Sequence, residues 1–352
     1  MLALVTVESM VPERHPLRQV KPIVDGILRD LSPAFDAMYA GGGRPSVPPE
    51  RLLKGMLLMA FFTVRSERLL AESVRYNMLF RWFLDMDMME APFDASTFSK
   101  NRERLLEHDV ARQFFEAVVE HARTNGWLSS EHFSVDGTLI ESWASMKSFR
   151  PKDDDSDDNN GFGDFKGTKR SNETHESKTD PEARLIRKGK GKESKLAYME
   201  HALMENRNGL VVDLEMTQAT GTAEREAAIV MLERNRAAQP GTKPRRVTLA
   251  ADKAYDVRSF IARCRELRVT PHVAQNVNSR RSSGIDGRTT NHPGYKISTV
   301  ARRLIEKIFG WQKTTGGLRR SRYKGRDKTS LFAHISAAAF NLLRMTKLVP
   351  AM

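Results

Sequence analysis

The thirteen residues Glu131 to Trp143, E-H-F-S-V-D-G-T-L-I-E-S-W, constrain the fold of this chain more than any other stretch. Phe133 and Val135 alternate with Ser134 and Asp136, and Leu139 and Ile140 follow Gly137-Thr138, so the run reads as a strand that crosses a glycine. An acid inside an otherwise apolar strand costs roughly several kcal/mol of desolvation unless a cation meets it. Asp136 is therefore the first candidate for function.

Upstream, residues 16 to 123 read as helices throughout. One opens after Pro48-Pro49-Glu50 and sets Leu53, Met56, Leu57, Ala60, Phe61 and Val64 at helical spacing; a second amphipathic run follows through Leu69, Leu70, Val74, Leu79, Phe80 and Phe83. Asp94-Ala95-Ser96-Thr97 supplies N-cap residues for a helix carrying Lys100, Arg102 and Arg104. That basic face can enter a DNA groove or simply be solvated.

Downstream, the pattern changes to strands. A polar insertion at about 145–194, expected to be partly disordered, places an acidic cluster (Asp153, Asp154, Asp155, Asp157, Asp158) before a basic one (Arg184, Arg187, Lys188, Lys190, Lys192). Two strands, Ala197–Met204 and Leu210–Met216, are joined through Asn208-Gly209, a hairpin signal. A helix over Ala223–Arg236, a strand over Arg246–Ala251 ending at Asp252, a helix over Val257–Leu267 and a strand over Thr270–Ala274 follow. Residues 276–296 read as a basic loop, Thr299–Thr314 as a helix and Leu331–Val349 as a closing apolar helix.

Charge narrows the partner. The chain holds 57 Lys+Arg against 44 Asp+Glu, and residues 279–328 alone carry 14 basic and 3 acidic side chains, a net of +11. Such concentration points to a polyanion. The one cysteine, Cys264, excludes an internal disulfide and a thiolate metal cluster, so a reducing cytoplasm is the expected compartment. No run suggests membrane insertion: Leu52–Val64 is short and carries Lys54. The histidines show no zinc-ligand spacing, and His201 and His272 read as structural.

The element order, three strands and then alternating helices and strands, describes a mixed sheet flanked by helices. In such a sheet the strand of Asp136 can lie beside the strand ending in Asp252, and a helix on the sheet edge can bring in Glu306. Three converging carboxylates suit two divalent ions about 3.5–4 Å apart, the arrangement that stabilises both oxygens of an in-line phosphoryl transfer. Arg302, Glu306, Phe309 and Lys313 fall on one stripe of that helix, framing the acid with two cations; an ordinary i, i+4 ion pair explains the same spacing.

With these residues in place, the chain resembles a DDE-type transposase of bacterial insertion-sequence families four and five. The resemblance runs over nearly the whole chain. It is carried by G-R-P-S-V-P-P-E-R-L-L (43–53), S-T-F-S-K-N-R (96–102), S-V-D-G-T-L-I-E-S-W-A-S-M-K-S-F-R-P-K-D (134–153), H-A-L-M-E-N-R-N-G-L-V-V-D (201–213), A-D-K-A-Y-D (251–256) and I-E-K-I-F-G-W (305–311). It implies an α/β, ribonuclease H-like mixed sheet flanked by helices over 129–352, preceded by an all-helical domain over 1–128 that binds DNA ends. It implies Asp136, Asp252 and Glu306 as catalytic, metal-binding residues for two Mg²⁺ ions, with Mn²⁺ able to substitute. Arg302 and Lys313 match the signature Tyr-x-x-Arg-x-x-x-Glu followed by Lys after six residues; Thr299 stands at its tyrosine position. DNA contacts are expected from these two and from Arg319, Arg320, Arg322, Arg280, Arg281, Lys100 and Arg102. The implied activity is cut-and-paste transposition: binding double-stranded terminal inverted repeats, as a dimer on DNA, cleaving there and joining the ends to target DNA. Two alternatives stay open on residues alone: a ribonuclease H-like nuclease that cuts without joining, and a DNA-binding protein without catalysis.

Overall fold

The computed structural model describes residues 5–38, 47–152, 170–187, 189, 191–238, 245–277 and 282–348. The acidic cluster at 153–158, Lys188 and Lys190, and Arg280 and Arg281 lie outside them.

Six helices open the chain: α1 (Leu17–Met38), α2 (Pro49–Phe61), α3 (Glu67–Tyr76), α4 (Met78–Phe83), α5 (Ala95–Glu107) and α6 (Val110–Thr124). Their starts follow capping chemistry. Pro49 begins α2, the Ser66 hydroxyl accepts from the Leu69 amide at α3, and the Asp94 carboxylate accepts from the Ser96 amide at α5. The run from Leu69 to Phe83 is two helices, broken at Asn77, whose side chain caps the second. Within α2, every residue from Leu52 to Ala60 is buried. Lys54 is buried among them, its ammonium held by Asp25 and Asp85.

The strands are β1 (His132–Glu141), β2 (Phe149–Pro151), β3 (His175–Ser177), β4 (Arg184–Arg187), β5 (Ser194–Glu205), β6 (Val211–Gln218), β7 (Val247–Ala251) and β8 (Val269–Val273). The main sheet runs β4-β5-β1-β7-β8, with β6 beside β4 on the outer side of β5. Strand β5 is antiparallel to β1 and β6 antiparallel to β5, whereas β7 is parallel to β1 and β8 to β7. Counting β1, β5, β6, β7 and β8 as one to five, the order is 3-2-1-4-5 with the second strand reversed, a ribonuclease H-like sheet. Asn206 to Gly209 makes the expected hairpin, Gly209 taking φ +67°. The insertion is in part ordered: β2 pairs with β3, β4 extends the sheet along β5, and Phe149 and Ala183 are buried in the core.

Helices α7 (Ala223–Ala237) and α8 (Arg258–Glu266) cover the sheet. The segment read as a basic loop is partly helical: α9 (Gly287–Thr290) is capped by Asp286, and α10 (Pro293–Ala301) starts with Pro293 at its first turn and the His292 ring accepting from the Gly294 amide. A 3-10 turn over Arg302–Ile305 separates α10 from α11 (Glu306–Thr314). Helix α12 (Arg326–Met345) closes the fold, packed on α2, α6, α11 and β6. Its Asn341 amide clamps the outer edge of β6, accepting from the Val211 amide (2.9 Å) and donating to the Val211 carbonyl (2.8 Å). One apolar cluster therefore contains residues of the first six helices, of the sheet and of α12.

Candidate active site

The parallel ladder of β1 on β7 pairs His132 with Thr248, Phe133 with Leu249 and Ser134 with Ala250. Two residues beyond the last pair lie Asp136, still on β1, and Asp252, the first residue after β7. Both acids thus stand at the carboxyl end of a parallel pair, at the point where the strand order reverses, which is where open α/β sheets bind ligands. The Asp136 carboxylate accepts from its neighbour's amide, Gly137 (2.8 Å), and the Asp252 carboxylate from the Ala254 amide (2.7 Å), which caps the turn after β7.

Glu306 opens α11 and is exposed. Its field reaches Asp136. Burial pushes the Asp136 carboxyl up to about 6; the Gly137 amide opposes this, Asp252 raises it further, Arg302 opposes and Glu306 raises. The Arg302 guanidinium approaches Asp136 Oδ2 at 3.6 Å rather than pairing along its own helix with Glu306. Lys313 Nζ donates to Thr138 Oγ1 (2.5 Å), so the second cation of the stripe also returns to β1. Phe309 does not belong with them: it lies at the edge of the buried side that α11 forms with Ile305, Ile308 and Gln312. Thr299 donates to the Tyr295 carbonyl (2.9 Å), while the Tyr295 hydroxyl, one turn earlier, donates to the Val273 carbonyl (3.0 Å) at the end of β8.

The DNA-contact candidates separate. Lys100 and Arg319 are exposed. Arg320 is exposed at its tip but donates to the carbonyls of Ser142 (3.1 Å) and Trp143 (2.7 Å). Arg102 is ion-paired with Glu67 and stacks on Tyr323 (4.5 Å to the ring centroid). Arg322 donates to the Val64 carbonyl and lies over Phe332 (4.9 Å). These last two guanidiniums are committed to joining elements of the protein. Asp256 pins a loop, accepting from the amides of Asn276 (2.7 Å) and Gly284 (2.8 Å).

Two groups at the site, Glu224 and Tyr255, are not read as functional from the sequence, while His201 and His272 are structural as read there. Glu224, in the first turn of α7, comes over Gly137: a Cβ added at Gly137 would lie 3.3 Å from Glu224 Oε1 and 3.0 Å from His201 Nδ1. Burial raises the Glu224 carboxyl, and Asp252 and Asp136 raise it further. The Tyr255 hydroxyl is buried with no hydrogen-bond partner among the described residues and is pushed well up by burial and by Glu224, Asp136 and Asp252. His201 is buried on β5, bonded through Nε2 to Thr217 (2.8 Å), and burial lowers it to about 4. His272 is likewise buried and bonded to Ser298 (2.7 Å).

Whether a divalent ion suits this place rests on its donors. Asp136, Asp252 and Glu306 offer only carboxylate oxygens, the hard donors that magnesium and manganese take, and the mutual repulsion that raises Asp136 is what a cation would relieve. Among the described residues, no three acids, histidines or cysteines stand close enough to share one ion. The carboxylates are within one another's field but not gathered around a point.

Residues 164–342 match the family model described as Transposase DDE domain, half of the chain, and residues 5–104 match Transposase domain (DUF772). The chain belongs to the DDE transposases of the insertion-sequence kind. A DDE transposase is a metal-dependent enzyme of DNA cleavage and strand transfer, and DNA transposition is the process it serves. No curated protein matches the sequence. Among solved structures, the chain is similar to a piggyBac transposase synaptic complex with hairpin DNA, at 11% identity over 94% of this chain and 75% of that one, with a TM-score of 0.42. It is also similar to a pre-cleavage Mos1 transpososome (10% identity, 88% and 82% covered, TM-score 0.23) and to a Mos1 mariner paired-end complex with Mn (12%, 88% and 90%, 0.23). At these scores none of the three places a residue. Among the described residues of the DDE transposase, no helix is long and apolar enough to cross a membrane.

Proposed function

We propose that the chain binds the terminal inverted repeats of its own element, as a dimer on double-stranded DNA, and excises and reinserts that element by Mg²⁺-dependent cut-and-paste transposition. The observation that carries this reading is the β1–β7 register, which, continued two residues beyond the Ser134–Ala250 pair, reaches Asp136 and Asp252 together at the strand switch. Asp136, Asp252 and Glu306 would hold two Mg²⁺ ions, or Mn²⁺ in their place. Bound there, the ions would neutralise charge on the attacking and leaving oxygens of a phosphoryl transfer. The protein's own groups set the stage. The Gly137 and Ala254 amides fix one oxygen each of Asp136 and Asp252, and the second oxygen of Asp136 faces the Arg302 guanidinium. Arg302, 3.6 Å from Asp136, opposes the rise that burial imposes on that carboxyl and would pass to a phosphate when DNA arrives. Lys313, held over β1 by Thr138, faces the same strand. We assign end binding to the helical part, residues 1–128, with Lys100 on its exposed face, and phosphate contacts to Arg302, Lys313, Arg319 and Arg320.

The test uses a supercoiled plasmid and a labelled fragment carrying the element's end, with Mg²⁺. Joined products are expected, and nicks alone would refute strand transfer in favour of a nuclease. Asp136→Asn should bind the end fragment and leave it intact; cleavage by that variant would remove Asp136 from the active site.

A further inference from the structure

A groove of about 1000 Å³ opens between the C-terminal end of α2 and the segment after α11, lined by Arg65, Trp143, Lys313, Arg319, Arg320 and Arg322 among others, with no acid among the described residues that line it. It adjoins the acids at one end, because Lys313 bonds to Thr138, two residues along β1 from Asp136. Trp143 marks the other end. Seven residues of extended chain separate it from Asp136, at most roughly 23 Å. Trp143 is 46% exposed, and the Lys324 ammonium lies over one face of its ring, 4.9 Å from the centroid. The segment that presents it is tied down: Arg320 donates to the Ser142 and Trp143 carbonyls, and the Glu141 and Ser321 amides exchange bonds with the Arg319 and Glu141 carbonyls (3.2 and 2.7 Å).

Cations alone would serve any stretch of duplex. A half-exposed indole beside them selects differently, since in intact duplex the base faces are stacked and only an unpaired base, displacing the Lys324 ammonium or taking the opposite face, can lie on the ring. We propose that this groove takes a single strand of DNA, its phosphates on Lys313, Arg319 and Arg320 and an unpaired base stacked on Trp143, so that the duplex is opened beside the acids. This rests on the transposase reading and adds to it the strand state of the DNA and the residue that reads it.

The experiment measures binding of the full chain, without metal, to a blunt hairpin duplex and to the same duplex with a four-nucleotide single-stranded 3′ tail containing 2-aminopurine. Wild type should prefer the tailed DNA by about 10-fold or more, the size of one base–aromatic stack, and quench the 2-aminopurine. Trp143→Ala should lose the preference and the quenching while binding blunt DNA as wild type does, and Trp143→Phe should keep most of both. Equal affinities of wild type for the two DNAs, or a Trp143→Ala variant that keeps the preference or loses both affinities alike, would overturn the proposal. Mn²⁺-dependent nicking removed by Asp136→Asn is scored separately: its absence refutes the transposase reading and leaves the tail preference standing, and its presence leaves the tail preference to be decided by Trp143.

Discussion

Replacing Glu200 by glutamine should make the protein more stable above neutral pH. Glu200 sits on β5 opposite Thr138, fully buried, and neither carboxylate oxygen has a hydrogen-bond partner of good geometry. Burial pushes its carboxyl from 4.5 up to about 7, against the opposing pull of Gln312 and Lys313. The sign follows from proton linkage. Below pH 4.5 the folded and unfolded chains are both protonated there, and Glu200 costs nothing extra. Between 4.5 and about 7 the unfolded chain ionises while the folded one keeps its proton, so stability falls as pH rises. Above 7 the penalty is complete, about 3 kcal/mol for a displacement of this size at about 1.4 kcal/mol per pH unit. Urea unfolding at several pH values, followed by circular dichroism, should show Glu200→Gln and wild type converging near pH 4.5 and separating by up to about 3 kcal/mol at pH 8. Parallel stability curves across that range, or a variant less stable than wild type at pH 8, would refute the reasoning.

Three further outcomes are expected. Gly137→Ala places a methyl 3.0 Å from His201 Nδ1 beside Asp136, and should cost about 1–3 kcal/mol in thermal unfolding and lower plasmid nicking; an unperturbed variant would show that the neighbours yield freely. Arg319→Ala should reduce the slope of log affinity for DNA against log salt by about 1, whereas Arg322→Ala should leave the slope unchanged and cost about 1–3 kcal/mol of stability by freeing the Val64 carbonyl and uncovering Phe332. Asn341→Ala leaves the Val211 amide and carbonyl unpaired in the core and should destabilise by about 2 kcal/mol or more, with faster hydrogen exchange at Val211 if β6 is the element released.

Much of this arrangement was legible in residues whose local chemistry admits one outcome. Asp94 before Ala95 starts a helix because its carboxylate has an amide to take, and Asn208-Gly209 turns a hairpin because only φ near +60° closes it. The alternation around Asp136 gave a strand. Period-two reasoning says nothing about β5, which is buried on both faces from Leu196 to Glu205, so the unusual burial of Glu200 and His201 was invisible. The helical starts at Asp286 and at His292-Pro293 were available as capping signals but were masked by the basic, small-residue composition around them. Glu224 had no local signature: it reaches Gly137 only because α7 crosses β1, a relation between residues far apart in the chain. The stripe drawn on an ideal helix misplaced Phe309, which falls at the boundary between the charged stripe and the apolar side of Ile305, Ile308 and Gln312, where an apolar ring is drawn into the core. Arg102 and Arg322 show the limit of reading charge as partnership, because a guanidinium that meets a carbonyl and an aromatic face inside the fold looks, in sequence, like one that meets a phosphate.

The packing of α12 also sets an order of events during synthesis. Leu331, Phe332, Ile335 and Leu342 fill the same apolar cluster as Leu53, Leu57, Phe114 and Val118, so the helical part that emerges first cannot close its core until residues 326–345 have left the ribosome. Until then the α2 and α6 faces stay open to water or to a holdase, and the segment assigned to DNA-end binding matures only when the catalytic sheet has already been made.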